Sequence, residues 1–67
     1  MIYQLRDQHG RKIYERDRLD ELLHFATKLQ LPSSHYEVWT LTGIPGELKD
    51  IQPLTNFFQH HEPKKTR

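Results

Sequence analysis

The apolar positions between residues 15 and 31 repeat every three to four residues, which predicts one main amphipathic helix. Polar residues occupy the opposite side of that helix, so this side is expected to lie in water. The apolar side is formed by Leu19, Leu22, Leu23, Ala26 and Leu29, with Phe25 at its edge.

The two ends of this helix carry their own signals. Asp17 is expected to be the N-cap residue, because its carboxylate can accept a backbone N–H of the first turn. Asp20 and Glu21 then lie where the helix dipole favours negative charge. The helix is expected to end near Gln30, because Pro32 disfavours helical geometry in the residue before it.

Shorter stretches of β-favouring residues flank the helix and predict two hairpins. The first hairpin turns at residues ending in Gly10, which can take a positive φ, and the second turns at residues 43–46. The strongest strand pattern is YEVWTLT, in which aromatic or aliphatic residues and threonines account for all but Glu37. The predicted strands cover residues 2–6, 11–15, 36–42 and 47–52.

A short helix is predicted after the last strand, and Pro53 suits its first turn. It is too short to be stable unless it packs on the rest of the chain. Residues 62–67 contain no apolar residue and are expected to be a disordered basic tail, which leaves residues 1–61 as a single compact domain. One side of the short helix would carry Leu54, Phe57, Phe58 and His61.

The predicted order is ββαββ with a terminal helix, which is an α+β fold with an antiparallel sheet and the main helix across one face. Successive side chains of a strand point to opposite faces of a sheet. In the third strand, Trp39 and Leu41 therefore lie on the face opposite to Val38. Both faces carry apolar side chains, so the second face must be covered by the C-terminal helix, a second copy or a different protein.

Composition sets further limits. The 67 residues suffice for one small domain, and 34% of them are hydrophobic, which is lean for a chain of this length. The chain has no cysteine, which is compatible with a reducing compartment. The sequence shows neither a membrane-spanning run nor the apolar stretch of a secretion signal. We therefore expect a soluble cytoplasmic protein with no membrane partner.

The formal net charge of +1 is unevenly distributed along the chain. Residues 1–18 and 63–67 are net basic, and the body between them is net acidic. The basic ends give an alternative function, nucleic-acid binding, in which the first hairpin enters a major groove and the tail contacts phosphates. The residues expected to act in this alternative are Arg6, Arg11, Lys12, Lys64, Lys65 and Arg67.

No residue pattern in the sequence points to catalysis, a cofactor or a metal. Helical metal pairs need histidines three or four positions apart, whereas His60 and His61 are adjacent and diverge by about 100°. Ser33 and Ser34 directly precede His35, and sequence neighbours rarely form a nucleophile and its base. No glycine-rich phosphate-binding motif is present. We expect a protein that is not an enzyme, with no cofactor, metal or small-molecule substrate.

The remaining candidate residues are aromatic. Tyr and Trp are favoured interface anchors because they bury a large area. The layout of hairpin, leucine-rich acidic helix and aromatic strand resembles small bacteriophage proteins that bind and inhibit a host enzyme. The resemblance implies an accessory protein of a phage or mobile element. The sequence thus predicts a small regulatory protein that docks on another macromolecule and forms a homodimer. The expected contact residues are Tyr14, Tyr36, Trp39, Phe57 and Phe58.

Overall fold

A computed structural model describes residues 1–43 and 46–58, and it confirms the α+β fold. The elements are β1 (Ile2–Asp7), β2 (Lys12–Arg16), α1 (Leu19–Lys28), a 3-10 turn (Ser33–His35), β3 (Tyr36–Thr42), β4 (Glu47–Pro53) and α2 (Thr55–Phe58). The four strands form one antiparallel sheet in the order β2-β1-β3-β4, so the two predicted hairpins meet along β1 and β3. The boundary expected between the domain and its tail lies outside the described residues.

The strand bounds follow from pairing across the sheet. β3 has the predicted bounds, whereas β1 extends to Asp7, which is in register with Tyr36 of β3. Pro53 was predicted in the first turn of the short helix, and this prediction is wrong. The residue ends β4 opposite Glu37, because the strand pairing continues up to it. A proline is tolerated here because β4 is an edge strand. The turn predicted at 43–46 is described only at Gly43 and Gly46.

The β1–β2 turn is held by the carboxylate of Asp7. Its Oδ1 atom accepts the backbone N–H groups of His9 and Arg11, each at 2.9 Å. Gly10 has a φ of +81°, the left-handed conformation that the turn requires and that glycine adopts without strain. The turn therefore fixes the register of the first hairpin, with an irregularity between Leu5 and Arg6.

The N-terminus of α1 differs from the prediction. Arg18, not Asp17, is the N-cap residue, and its side chain makes no cap hydrogen bond. β2 continues to Arg16, so only two residues connect it to Leu19, and Asp17 lies one position too early to cap. The guanidinium of Arg18 instead donates to the carboxylate of Asp20 at 3.1 and 3.2 Å, which lowers the pKa of that carboxyl.

The C-terminus of α1 is a Schellman motif, and the helix ends at Lys28, two residues before the predicted end. The N–H of Gln30 donates to the carbonyl of Thr27 at 3.0 Å, and that of Leu31 to the carbonyl of Ala26 at 3.1 Å. Gln30 takes the left-handed conformation, with a φ of 56°, at the position where glycine is usual. This reversal directs the chain away from the helix axis toward β3.

In the described part of the chain, the hydrophobic core lies on one side of the sheet, between the sheet and α1. The backbone N–H of Leu54 donates to the carbonyl of Tyr36 at 2.9 Å and thereby brings the start of α2 to the same side. Phe57 and Phe58 pack against this core as well, so α2 joins α1 and leaves the other face of the sheet without it. The core residues, each at most 2% exposed, are Leu5, Leu22, Ala26, Val38 and Leu54.

Candidate interaction surface

The face of the sheet turned away from α1 carries a group of apolar side chains that lies outside the core. Strand alternation places these residues opposite to Leu5 and Val38, which are fully buried. Leu48 is 46% exposed and Ile51 is 42% exposed, values typical of surface and not of core positions. We call this surface the open face, and its apolar patch consists of Ile2, Trp39, Leu41, Leu48 and Ile51.

The patch is contiguous because its members are direct neighbours across the strands. Ile2 of β1 pairs with Leu41 of β3, and Leu41 pairs with Leu48 of β4. One row further along, Trp39 pairs with Ile51. Side chains directly opposite each other in an antiparallel sheet are about 5 Å apart at Cβ. The five side chains therefore form one surface that spans three strands.

Trp39 is held from two sides on this surface. The guanidinium carbon of Arg6 lies 4.2 Å from the centroid of the Trp39 ring, which is a cation–π contact. The indole Nε1–H donates to Oε1 of Glu37 at 3.2 Å. Because its ring face and its N–H are both engaged, the Trp39 side chain is restrained in orientation. The side chain is half-buried, so part of the ring remains accessible.

A hydrogen-bonded network places Arg6 over that ring. Arg6 donates to Oε1 of Gln4 from Nε at 3.1 Å and from Nη2 at 2.7 Å. The amide of Gln4 donates in turn to Glu15 at 3.0 Å, and Lys12 donates to the same carboxylate oxygen at 3.0 Å. The hydrogen bonds from Lys12 and Gln4 hold the pKa of the Glu15 carboxyl below its ordinary value. The polar half of the open face is thus internally paired.

The three cations of the first hairpin that were proposed for nucleic-acid contact are engaged by neighbouring side chains. Arg6 is fixed by Gln4 and Trp39, and Lys12 forms an ion pair with Glu15. Arg11 is 78% exposed at its side chain, with Nε 3.9 Å from the carboxylate of Asp7. Phosphates would therefore have to compete with protein carboxylates for two of the three cations. The other three candidates, Lys64, Lys65 and Arg67, lie outside the described residues.

The five aromatic residues predicted as contacts do not share one surface. Tyr14, Tyr36, Phe57 and Phe58 pack against the core, on the side of α1. Tyr14 stacks on Phe25 of α1, with ring centroids 3.6 Å apart and planes 8° from parallel. Trp39 alone of the five lies on the open face, where the structure joins it to aliphatic side chains that sequence reasoning did not select. The role of the five aromatic residues in binding stays a prediction.

An open depression of about 610 Å³ lies between β2 and α1, and no pattern in the sequence indicates it. Charges of both signs line it, and Nε of Arg16 lies 3.6 Å from the carboxylate of Glu21. The guanidinium of Arg16 also lies 4.4 Å from the Tyr14 ring centroid. Arg16 and Glu21 are thus engaged with each other and with Tyr14, and these contacts point to no ligand chemistry. The depression is lined by Tyr14, Arg16, Asp20, Glu21, His24, Phe25 and Lys28.

Within residues 1–43 and 46–58, no group of three or more His, Cys, Asp or Glu side chains is placed to hold a metal ion. His60 and His61 lie outside these ranges. In the same part of the chain, no helix is long and apolar enough to cross a membrane.

The fold and the surface define a small α+β protein with a one-sided core and an open sheet face. Comparison of the chain with protein-family models, with curated proteins and with solved structures finds no match. The open face is therefore the feature from which its function has to be inferred.

Acid titration should reveal the contribution of Asp7 to the first hairpin. Backbone hydrogen bonds from Arg11 and His9 lower the pKa of the Asp7 carboxyl. A carboxyl with a lowered pKa stabilises the fold above its ordinary pKa of about 4, and this contribution is lost as the pH falls through the lowered value. We expect Asp7→Asn, which keeps an acceptor oxygen, to be less stable than the wild type at pH 7.

The measurement is urea unfolding of both proteins from pH 7 to pH 2. The difference in stability between them should shrink steadily below about pH 4, because protonation then removes the charge from the wild type as well. A difference that stays constant across this range would show that the charge of Asp7 is not responsible.

Proposed function

We propose that this chain is a non-enzymatic interaction protein that acts by docking its open face on another protein, with Trp39 as the anchor. The observation that carries the proposal is the contiguous apolar patch of the open face, which includes two aliphatic side chains more than 40% exposed. Burying such a patch is favourable in water, and clustered apolar surface of this kind marks binding sites.

Trp39 has the properties of a binding anchor. Tryptophan and arginine are enriched among the residues that dominate interface energies, and here they are in contact. The restraint of Trp39 by Arg6 and Glu37 reduces the conformational entropy that binding would otherwise remove. Charged residues at the border of an apolar centre also match the usual arrangement of core and rim in interfaces.

Docking through the face is favoured over addition of a strand to the sheet. β4 is an edge strand, and it carries Glu47, Lys49 and Asp50 before it ends at Pro53. Charged residues and proline are the features that protect edge strands from pairing with other chains. β2, at the other edge, is short and pairs irregularly with β1. The apolar patch is therefore the better binding surface.

Nucleic-acid binding is the second candidate, and the exposed Arg11 together with the Arg6–Trp39 pair favours it. Aromatic rings flanked by cations can stack unpaired bases. Glu15 and Glu37 lie on the same face, however, and offset the attraction of its cations for a phosphate backbone. The aliphatic residues of the patch have no counterpart in such a site. These observations favour a protein partner, in the cytoplasmic location that we expect for a chain without cysteine.

The test compares capture of partners from a lysate of the cells that encode the protein. Tagged wild type is compared with Ile51→Lys, which places a charge in the patch, and with Leu29→Lys as a matched control. Leu29 is 54% exposed at the end of α1, away from the open face, so both variants replace an exposed aliphatic residue. We expect a discrete protein that wild type and control retain and that Ile51→Lys captures at least about tenfold less.

Each sample is also washed with nuclease. Equal capture by Ile51→Lys and wild type would contradict docking through the open face. Two results together would favour the nucleic-acid candidate. Nuclease would remove all material bound to the wild type, and an Arg11→Glu variant would fail to capture that material without nuclease.

A further inference from the structure

We infer that, in the absence of a target, the open face is closed by the open face of a second copy, which gives a weak face-to-face dimer. This inference rests on the proposed function, because it uses the same docking surface. The two copies are related by a two-fold axis, and Trp39 and Ile51 of each copy lie inside the contact. A target then binds by replacing the second copy.

The charges of the open face permit contact between identical copies. Arg6 and Lys12 are balanced by Glu15 and Glu37, so the charges of these four groups beside Trp39 sum to zero. A two-fold dimer brings the same surface of both copies together, and a face with an excess of one sign would repel itself. Each of these four groups is paired within its own chain, so closure leaves none of them without a partner.

The size of the face sets the strength of the dimer. Four strands about 4.8 Å apart and about 3.3 Å per residue over six residues give a face of about 19 by 20 Å, or roughly 400 Å² per copy. Two copies then bury on the order of 800 Å², which is the range of weak and transient contacts. A dimer that dissociates at micromolar or higher concentrations is therefore expected. Such a dimer leaves the face available to a tighter partner.

None of the elements described within residues 1–43 and 46–58 covers the patch. α2 lies on the core side, where Leu54 is fully buried. The sequence beyond α2, residues 59–67, is QHHEPKKTR and contains no aliphatic or aromatic residue other than its histidines. Such a segment has little apolar surface with which to cover Trp39 and its neighbours. Two sheet faces can instead pack on each other about 10 Å apart, as in a sandwich.

The experiment follows the mass and the fluorescence of the purified full chain as its concentration rises. Trp39 is the single tryptophan, so its emission reports directly on the open face. Sedimentation equilibrium from about 1 µM to about 1 mM should show the mass rising from 8.1 kDa toward twice that value. Over the same range the emission of Trp39 should shift to the blue and acrylamide quenching should fall, because the ring loses contact with water.

Ile51→Lys and Leu29→Lys serve again as the face variant and the matched control. We expect Ile51→Lys to weaken dimerisation at least about tenfold, since both copies carry the change, and Leu29→Lys to match the wild type. Circular dichroism checks that each variant is folded. Both variants replace exposed side chains, so folding is expected to persist.

A wild-type protein that stays monomeric over the whole range would overturn the inference, and so would a dimer unaffected by Ile51→Lys. Neither result would touch the proposed function if capture of a target still depended on Ile51. Dimerisation that is lost in Ile51→Lys, without any captured target, would support the dimer and count against docking on another protein.

Discussion

Replacing Leu5 with alanine is expected to lower the free energy of unfolding by about 2–5 kcal/mol. Leu5 is fully buried in the centre of the sheet and packs in one cluster with Leu22 and Val38. Truncation removes apolar contacts and leaves a cavity that the close-packed neighbours fill only in part. A chain of this length has a total stability on the order of 3–10 kcal/mol. The variant should therefore be largely unfolded under conditions in which the wild type is folded.

The matched control is Leu41→Ala on the adjacent strand. Leu41 lies on the open face and is only half-buried, so the same truncation should cost less, on the order of 1 kcal/mol. Urea unfolding followed by circular dichroism measures both values. Equal losses for the two leucines would mean that the sheet is buried on both sides, and the open face would then not exist in solution.

Replacing Leu54 with alanine is the second change with a large expected effect, again about 2–5 kcal/mol. Leu54 is fully buried and precedes α2, which has only four residues. A helix of that length is not stable by itself and depends on packing. Loss of the Leu54 side chain should therefore release Phe57 and Phe58 from the core. Hydrogen exchange at the amides of residues 54–58 should become fast even where the sheet remains protected.

Leu48→Ala is the control for this change, because Leu48 is a leucine of β4 that is 46% exposed. Its truncation is expected to change stability by less than about 1 kcal/mol and to leave exchange at residues 54–58 as in the wild type. If Leu54→Ala had only this small effect, α2 would not be part of the core.

The order and type of the elements could be predicted because local patterns determine them. The leucine repeat of α1 and the YEVWTLT pattern of β3 each have the period of one structure only. The alternation within β3 also predicted two apolar faces, and this is the basis of the open face. These features can be predicted without knowing which strands are neighbours in the sheet.

The helix ends and the candidate surface depend on contacts that are distant in sequence. Asp17 had the right chemistry for an N-cap, but the pairing of Arg16 with Tyr3 prolongs β2 and moves the cap to Arg18. The addition of Leu48 and Ile51 to the patch depends on the register of β4, which shifts between Thr40 and Leu41. Neither pairing is encoded in a local pattern.

The aromatic residues illustrate the same limit. Tyr14 and Tyr36 are of a residue type that is common among interface anchors. Whether their side chains are buried depends on which face of each strand is turned toward α1. Phe57 and Phe58 are aromatic as well, but no local pattern indicates the side of the sheet on which α2 lies. Pairing of Pro53 in β4 and the bond from Leu54 to Tyr36 set that direction. Trp39 differs because its position within β3 already placed it on the second face.

The strand order also has a consequence for folding kinetics. Each hairpin consists of neighbouring segments and can form rapidly, whereas β1 and β3 pair residues 29 to 39 positions apart, such as Leu5 and Val38. Closing a loop of that length costs on the order of 3 kcal/mol of chain entropy before any contact is made. We expect this central pairing to limit the folding rate. Until it forms, each hairpin exposes an unpaired strand, so nascent chains are most prone to aggregate at this stage.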